Sequence, residues 1–452
     1  MLQNNDTFEQ TKNIFLQTFS TLKFSRLLRQ SGIRKSRGIP VLEVFKFITL
    51  LVFQGKNLYR FLHSVRSNTV YSKNSIYRFL NKSTYNWRRF LLDLVTKVIG
   101  SITPLTRPSR VNVLILDDTI VPRNRSKNVE LLAKVHDHTS NRYKKGFTML
   151  TLGWSDGYSF IPTDFAMLSS ANKSNRYQEV NDSIDKRTNG YKRRIESMKK
   201  KSIVAVELIK NTLKQGIEAS YVLMDSWFVH EPMIKSCLDE GIDVIGMVKQ
   251  MKQKYTFKGK KYDLKELRRM LPKCRNRNII GSILVTTKNG IQIKLVYVKN
   301  RNKKRNWLVI LSTDCSLKND EIVRIYGNRW SIEVFFKSIK SLLKLGNEFQ
   351  GRSYDMMISH TTIVMTRFIM TEWLRRQEND DKTFGELFFY FCDDIQDMDF
   401  VIALQNLMSV MIEAIDGAKS LATEIIKSKL QQWIKQQTAF IKTLFNDFCW
   451  ES

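Results

Sequence analysis

Short runs of apolar, β-branched residues separated by helical stretches constrain the fold of this chain more than any other feature. The runs at residues 111–116, 147–154, 158–168, 221–224 and 242–248 have the length and composition of buried strands. Helical periodicity fills the gaps between the last three of these runs. The order of three strands, helix, strand, helix and strand predicts an α/β fold in the broad sense, a mixed α+β domain built around one central sheet.

Changes in periodicity divide the chain into three predicted regions. Residues 1–105 show helical spacing, residues 106–378 contain the predicted sheet, and residues 379–452 return to helical spacing. Residues 249–312 interrupt the central region with alternating strands, one pair of which is joined by Asn289-Gly290, a strong hairpin signal. We expect an antiparallel β insertion there, and the last region is a candidate for dimerisation. The predicted helices span residues 8–24, 41–53, 56–66, 73–79, 87–99, 321–345, 355–378, 383–391, 400–415 and 417–446.

One segment of the first region has two interpretations. Residues 72–84 place Tyr77, Arg78 and Lys82 on a short basic helix. Such a helix is typical of a DNA-recognition helix, and the whole region 1–105 is then a DNA-end-binding region. The same pattern equally fits a helix that only packs within a bundle.

The charge of the chain indicates a polyanionic partner. Lys and Arg number 74 against 43 Asp and Glu, which gives a formal net charge of +31. The excess runs along the whole chain, so it favours nucleic acid over a membrane surface. We expect no membrane span and no secretory signal, and the five scattered cysteines fit a reducing bacterial cytoplasm.

Two acidic residues directly follow predicted strands. Asp117 follows residues 111–116, and Asp225 follows residues 221–224. A carboxylate at the carboxyl end of a strand points into the crevice where α/β folds bind their ligands. Asp118 competes with Asp117 for this role, but Asp117 has Thr119 two residues later and is preferred. An acidic residue in such a place is also common as a turn or cap residue.

A third acidic residue lies on the polar face of the predicted helix 321–345. Tyr326, Arg329, Glu333 and Lys340 have the spacing Y-x2-R-x3-E-x6-K, which brings all four to one narrow helical face. Trp330 and Lys337 share this face. The opposite face is apolar, as expected for a helix packed on a core. It carries Ile332, Phe335, Phe336, Ile339, Leu342 and Leu343.

Asp117, Asp225 and Glu333 are carboxylates, whose oxygen ligands suit hard cations such as Mg²⁺ or Mn²⁺. In a basic protein such a set favours two-metal phosphoryl transfer. His136 and His138 form a possible metal pair of another kind, although histidines in a polar loop are more often surface residues. Trp330 and Trp307 are candidates for stacking on an unpaired base.

With these residues together, the sequence resembles the DDE transposases of bacterial insertion sequences, in the cut-and-paste group that has the Y-x2-R-x3-E-x6-K signature. The signature matches completely in residue type and spacing, and the resemblance covers about residues 110–350. It implies a ribonuclease H-like core with a β-rich insertion before the last core helix.

The resemblance also implies roles for individual residues. Asp117, Asp225 and Glu333 are expected to hold two Mg²⁺ or Mn²⁺ ions, and Tyr326, Arg329 and Lys340 to contact DNA phosphates together with Lys337. Trp330 or Trp307 is expected to stabilise a flipped base. The expected partners are double-stranded DNA, both transposon ends and target, and a second copy of the chain. A metal-dependent nuclease without strand transfer and an inactive DNA-binding regulator are the alternatives.

Overall fold

The computed structural model describes residues 14–63, 71–137, 140–249, 253–272, 278–300, 306–349, 351–378 and 381–395. The chain divides into two compact units. Within the described ranges, the larger unit lies between residues 19 and 387, and residues 14–18 and 388–395 belong to the other. These limits differ from the predicted boundaries at residues 105 and 378, and the three-region organisation stays a prediction.

The described part of the chain contains α-helices before, between and after the strands. They are α1 (Ile14–Thr21), α2 (Phe24–Gln30), α3 (Val41–Leu50), α4 (Leu58–Leu62), α5 (Lys73–Leu80), α6 (Trp87–Ile102), α7 (Asn189–Ser197), α8 (Lys201–Lys214), α9 (Glu231–Asp239), α10 (Leu264–Arg269), α11 (Asn319–Gly327), α12 (Trp330–Ser341) and α13 (Tyr354–Glu378). Residues 384–395 are also helical.

The strands form one large mixed sheet. They are β1 (Val113–Pro122), β2 (Ala133–Asp137), β3 (Arg142–Ser155), β4 (Phe160–Leu168), β5 (Tyr221–Met224), β6 (Asp243–Val248), β7 (Tyr255–Phe257), β8 (Lys260–Tyr262), β9 (Ile279–Thr286), β10 (Gln292–Lys299) and β11 (Trp307–Ser312). Their spatial order is β2-β3-β1-β5-β6-β11-β10-β9-β7-β8, and β4 pairs with β3.

The centre of this sheet has the predicted order of elements. β1, β3 and β4 are antiparallel neighbours, β5 is parallel to β1, and β6 is parallel to β5. α8 connects β4 to β5 and α9 connects β5 to β6, as parallel pairing requires a crossover. The predicted hairpin between β3 and β4 is also found: Gly157 has a φ of 84°, and Asp156 accepts hydrogen bonds from the backbone of Tyr158 and Ser159.

The predicted insertion is antiparallel, and it extends the central sheet. β11 pairs with β6, and β10 and β9 follow outward from it. Asn289-Gly290 lies in the connection between β9 and β10, where Gly290 adopts a φ of 91° that a glycine tolerates. The insertion therefore shares its hydrogen bonding with the core.

The first strand, predicted over residues 111–116, extends further in the structure. β1 does not end at residue 116 but continues to Pro122, because β3 is long enough to pair with all of it, from Val113 opposite Ser155 to Pro122 opposite Gly146. Pairing with β5 ends earlier, at Leu116 opposite Met224. Asp117 thus lies inside β1, at the place where its parallel neighbour ends.

The single helix predicted over residues 321–345 is wrong, because the structure has two helices. α11 ends at Gly327 and α12 begins at Trp330. Between them the backbone tightens: Arg329 donates to the carbonyl of Tyr326, and Ser331 donates to that of Asn328 from both its amide and its hydroxyl. These bonds span three residues instead of four, and Gly327 and Asn328 are poor helix formers.

Other helix boundaries also differ from the predictions. The helix predicted over residues 8–24 is broken at Lys23, which adopts a φ of 55°, and α2 follows it. The helix predicted over residues 56–66 spans only Leu58–Leu62 within the described part. The helix predicted over 355–378 is found as α13. Those predicted over 400–415 and 417–446 lie outside the described residues.

Helices of the N-terminal region pack directly on the sheet. α6 contacts both β4 and α13, and it buries Phe90, Leu94 and Val98 completely. α5 packs its Ile76 and Leu80 side against α13, where Ser359 donates to the carbonyl of Leu80. The packing role of α5 is therefore visible, whereas DNA recognition by this helix stays a prediction. None of the helices in the described ranges is long and apolar enough to cross a membrane.

A buried ion-pair cluster ties three distant segments of this unit together. Arg194 in α7 donates to both carboxylate oxygens of Glu130, at 2.6 and 2.8 Å, and to both of Asp355, at 3.0 and 2.7 Å. Only 1% of the Arg194 side chain is exposed. The guanidinium thereby joins α7, the segment before β2 and the first turn of α13.

Arg194→Ala is expected to lower the free energy of unfolding by roughly 3–5 kcal/mol, because it leaves Glu130 and Asp355 buried without their cation. Urea unfolding followed by circular dichroism measures the change. Arg187→Ala is the matched control, since Arg187 is exposed and, among the described residues, forms its ion pair with the nearby Asp185. Equal stability of the Arg194 and Arg187 variants would contradict the role of the cluster.

Candidate active site

Two of the three predicted acidic residues meet where β1 and β5 part. Leu116 opposite Met224 is the last pair of the parallel register. Asp117, within β1, and Asp225, directly after β5, therefore occupy the next position. Neighbouring strands lie about 4.8 Å apart. Asp225 also turns the chain, since its carboxylate accepts a hydrogen bond from the amide of Trp227 at 3.0 Å.

Arg329 connects this pair to the third acidic residue. Its guanidinium donates to Asp117 at 2.9 Å and also to Glu333, one helical turn further on. Arg329 stands in the tight turn between α11 and α12, and Glu333 lies in the first turn of α12. Asp117 and Glu333 are thus brought to one place by a shared cation, while Asp225 adjoins Asp117 on the sheet.

The electrostatic state of Asp117 reflects this crowding. Burial raises the pKa of Asp117 to about 7, and the negative charges of Asp225 and Asp118 raise it as well. The guanidinium of Arg329 acts in the opposite direction but does not restore the ordinary value. Burial is the largest of these effects, so the raised pKa shows mainly that Asp117 is withdrawn from solvent, with two other carboxylates nearby.

Tyr326 and Lys340 complete the predicted motif around the same point. Burial raises the pKa of Tyr326 to about 12, and Tyr326 shares a hydrogen bond with Arg329. The Lys340 ammonium donates to the hydroxyl of Thr119 at 2.6 Å, and burial lowers the pKa of Lys340. Thr119 and Asp117 lie on the same face of β1. Lys340 of α12 contacts this face at Thr119, and Arg329, just before α12, contacts it at Asp117.

Asp118 points elsewhere. It forms an ion pair of 2.7 Å with Lys201 at the start of α8, whereas Arg329 pairs with Asp117 and Glu333. The Lys201 ammonium also lies 3.6 Å from the ring centroid of Trp227, a cation–π distance. Trp227 is 44% exposed and follows Asp225 by two residues.

Lys201 and Trp227 are site residues that sequence reasoning missed. Trp227 was visible as an aromatic residue directly beside a predicted strand-end acid. Lys201 carried no distinguishing signal, because it closes a segment of many basic residues. Its position depends on how α8 lies across the end of the sheet.

The predicted DNA contacts occupy different environments. Trp330, at the start of α12, is 64% exposed, and Lys337 is exposed two turns further along the same helix. Trp307 is instead buried in β11, where its ring lies 5.3 Å from that of Tyr297. It still borders a cavity of about 380 Å³ that extends to Ser226, the neighbour of Asp225. Trp307 also lines a second cavity, of about 460 Å³, together with Lys265, Arg268 and Arg269.

The donor set fits a hard divalent cation. Asp117, Asp225 and Glu333 offer only oxygen ligands, the kind that hard divalent cations prefer, and the charge of Asp225 acts on the buried Asp117. In the described part of the chain, however, no three His, Cys, Asp or Glu side chains are arranged to hold a metal ion. Arg329 holds Glu333 in an ion pair, so Glu333 would have to leave it to join a metal.

His136 contacts the ring of Tyr143, and His138 lies outside the described residues.

Comparison with known protein families gives one match. Residues 48–261 match the model of a family described as DDE superfamily endonuclease. The matched range contains Asp117 and Asp225, whereas Arg329 and Glu333 lie beyond it. The comparison with curated proteins found no match. The family match indicates a nuclease or transposase domain with a DNA substrate in this part of the chain, and it does not extend to the insertion-sequence group or to its signature.

The Asp117→Asn variant is expected to become more stable than the wild type as the pH rises. The raised native pKa means that the folded state binds more protons than the unfolded state, whose Asp pKa is about 3.9, so wild-type stability falls between about pH 4 and pH 7. Asparagine stays neutral and avoids this loss. At pH 8 the variant gains at most about 4 kcal/mol over the wild type, since one pKa unit corresponds to about 1.4 kcal/mol.

Urea unfolding at about pH 4 and pH 8 measures this difference. Asp239→Asn, at an exposed position on α9, is the control, because Asp239 is not among the groups that shift the pKa of Asp117. Parallel pH profiles for the wild type and Asp117→Asn would show that Asp117 does not titrate as described.

Proposed function

We propose that this protein is a DDE transposase of a bacterial insertion sequence, which excises and inserts DNA by metal-dependent phosphoryl transfer. The observation that carries the proposal is the meeting of Asp117, Glu333 and Arg329 beside Asp225. These residues come from two strands and a helix far apart in the chain. The endonuclease family match over residues 48–261 supports the same chemistry.

The proposed core is ribonuclease H-like. Its support is the order of elements, in which three antiparallel strands precede two parallel ones. Asp117 and Asp225 come directly after the last residues that pair between β1 and β5. The insertion between Asp225 and Glu333 extends this sheet, and α11 and α12 then return the chain to the site.

The proposed reaction begins with hydrolysis of one DNA strand. Water attacks the phosphorus, the bond to the 3′ oxygen breaks, and a 3′-hydroxyl is left that attacks target DNA in the second step. Two divalent ions, when bound to the carboxylates, would supply activation of the attacking oxygen and stabilisation of the leaving oxygen. The protein's own part is to hold Asp117 within β1 and Asp225 directly after β5, where the sheet sets their positions.

Arg329, Tyr326 and Lys340 are the proposed phosphate contacts. In the free protein Arg329 is engaged by Asp117 and Glu333, and a guanidinium has five N–H donors, enough to add a phosphate or to exchange one carboxylate for it. Lys340 stands beside Thr119, two residues from Asp117. Lys337 and Trp330 extend the same helix face toward solvent, where the duplex would lie.

Further roles are proposed for the two tryptophans and for the terminal regions of the chain. Trp330 is placed to stack on a flipped base at the surface, and Trp307 to do so within the cavity that reaches Ser226. Residues 1–105 are proposed to bind the transposon end, and residues 379–452 to join two copies of the chain on DNA. We expect the protein in the cytoplasm, at the nucleoid.

A metal-dependent nuclease without strand transfer is the second candidate. The family match covers nucleases as well as transposases, and both use the same carboxylates. Inverted repeats bordering the gene, with short duplications outside them, would favour the transposase. An inactive DNA-binding regulator is less consistent with the presence of all three acids.

Asp225→Asn and Glu333→Gln are each expected to abolish cleavage of a duplex that carries the DNA bordering the gene. Each substitution keeps the shape of the side chain but removes a negative ligand, and DNA binding without divalent ions should remain. Gel analysis of cleavage with Mg²⁺ and fluorescence anisotropy without it provide the two measurements.

Asp239→Asn, an exposed acid on α9, is the matched control and should cleave normally. Asp118→Asn tests which of the two neighbouring aspartates cleavage requires. We expect cleavage to depend on the Asp117 carboxylate and not on that of Asp118. Wild-type cleavage by either Asp225→Asn or Glu333→Gln would reject the proposed site.

Arg329→Gln is expected to weaken DNA binding and to reduce its salt dependence. Loss of one phosphate contact lowers the slope of log K against log salt by about 0.9. Arg324→Gln, at an exposed position on α11, is the control with the same change of charge. If both variants kept the wild-type slope, Arg329 would serve only to hold Asp117 and Glu333.

A further inference from the structure

A two-stranded ribbon beside the site carries a second basic surface. β2 pairs with the first residues of β3, placing Lys134 opposite Lys145 and His136 opposite Tyr143. Side chains alternate between the two faces of a strand, so these four lie on one face of the ribbon. Lys144 and Asp137 lie on the other face, where they form an ion pair of 2.6 Å.

Two tyrosines accompany the facing lysines. The Lys134 ammonium lies 4.3 Å from the ring centroid of Tyr143, and the Lys145 ammonium lies 4.9 Å from that of Tyr177. Tyr143 is 64% exposed and Tyr177 is 46% exposed. We call the surface formed by Lys134, Tyr143, Lys145 and Tyr177 the ribbon face.

The ribbon face is electrostatically unfavourable by itself. Like charges directly opposite each other destabilise a strand pair, and cation–π contacts at exposed sites return only about 0.5–1 kcal/mol each. Among the described residues, neither Lys134 nor Lys145 has a carboxylate partner. A ligand with closely spaced negative charges would relieve this repulsion.

A neighbouring loop adds to the positive charge. Arg125 and Lys127, between β1 and β2, are exposed, and the loop is held against the ribbon by a hydrogen bond from the amide of Lys145 to Asn124. On the other side, Gln178, next to Tyr177, donates to the carbonyl of Lys127. The nearby acid Glu179 is occupied by Arg176.

The ribbon also has a fixed relation to the candidate active site. Lys145 and Thr151 lie on the same strand, and Thr151 pairs with Asp117. At about 3.4 Å per residue, this separation is about 20 Å, or about six base-pair steps of DNA. On the far face of the ribbon, Asp137 and Lys144 are close enough to Lys340 to affect its pKa.

We propose that the ribbon face binds the phosphate backbone of duplex DNA about six base pairs from the scissile phosphate. The surface matches that ligand in charge and in reach from Asp117, and its tyrosine hydroxyls can also donate to phosphate oxygens. The proposal relies on DNA as the substrate but not on metal-ion chemistry, so binding without divalent ions tests it separately from cleavage.

The test is the double variant Lys134→Gln/Lys145→Gln, measured by fluorescence anisotropy on a generic duplex of about 30 base pairs over a series of salt concentrations without divalent ions. Loss of two phosphate contacts should lower the slope of log K against log salt by about 1.8. The temperature of thermal unfolding should not fall, since the substitutions remove the repulsion between the two facing lysines.

Lys214→Gln/Lys235→Gln is the matched control, with the same change of charge at exposed positions on α8 and α9. It should keep the wild-type slope. An equal loss in both double variants would show an effect of net charge alone and would overturn the proposal. So would an unchanged slope in the ribbon variant, or lysine-dependent binding to anionic vesicles without any effect on DNA binding.

Discussion

The ion pair that Arg329 forms with both Asp117 and Glu333 is the interaction on which the site depends. Asp117 is held by a strand and Glu333 by a helix, and no covalent or backbone link fixes the distance between them. Two carboxylates cannot approach in a half-buried place unless a cation offsets their repulsion. Arg329 supplies that charge in the free protein, and it does so from the turn that separates α11 and α12.

Rigid elements on every side hold this arrangement. β1 pairs with β3 over ten residues and with β5 up to the residue before Asp117, so the sheet sets the place of the acid. α12 buries Ile332, Phe335 and Ile339 and thereby sets the place of Glu333 and Lys340. The Arg194 cluster joins the first turn of α13 to α7 and to the segment before β2. Each side chain of the site thus stands on an element whose own position is determined by packing.

Much of this could be predicted from the sequence, because local patterns carried it. The runs of apolar residues indicated β5 and β6 correctly, and the spacing of Tyr326, Arg329, Glu333 and Lys340 indicated their common location. The hairpins near Gly157 and Gly290 followed from turn chemistry. What the sequence could not show depends on long-range pairing: β1 continues past Asp117 only because β3 continues beside it, and Lys201 reaches Asp118 only through the placement of α8.

The helix is interrupted at Asn328, yet the residues of the Y-x2-R-x3-E-x6-K motif still lie close to one another. Bonds that span three residues between Tyr326 and Ile332 change the helical phase, so the four motif residues do not share one ideal helix face. The tight turn instead leaves Arg329 free of the regular ladder, in reach of Tyr326, Asp117 and Glu333 at once. On an unbroken helix, Arg329 and Glu333 would still meet as a pair four residues apart. The turn thus supports the additional contact to the strand, which is the contact that joins the helix to the sheet at the site.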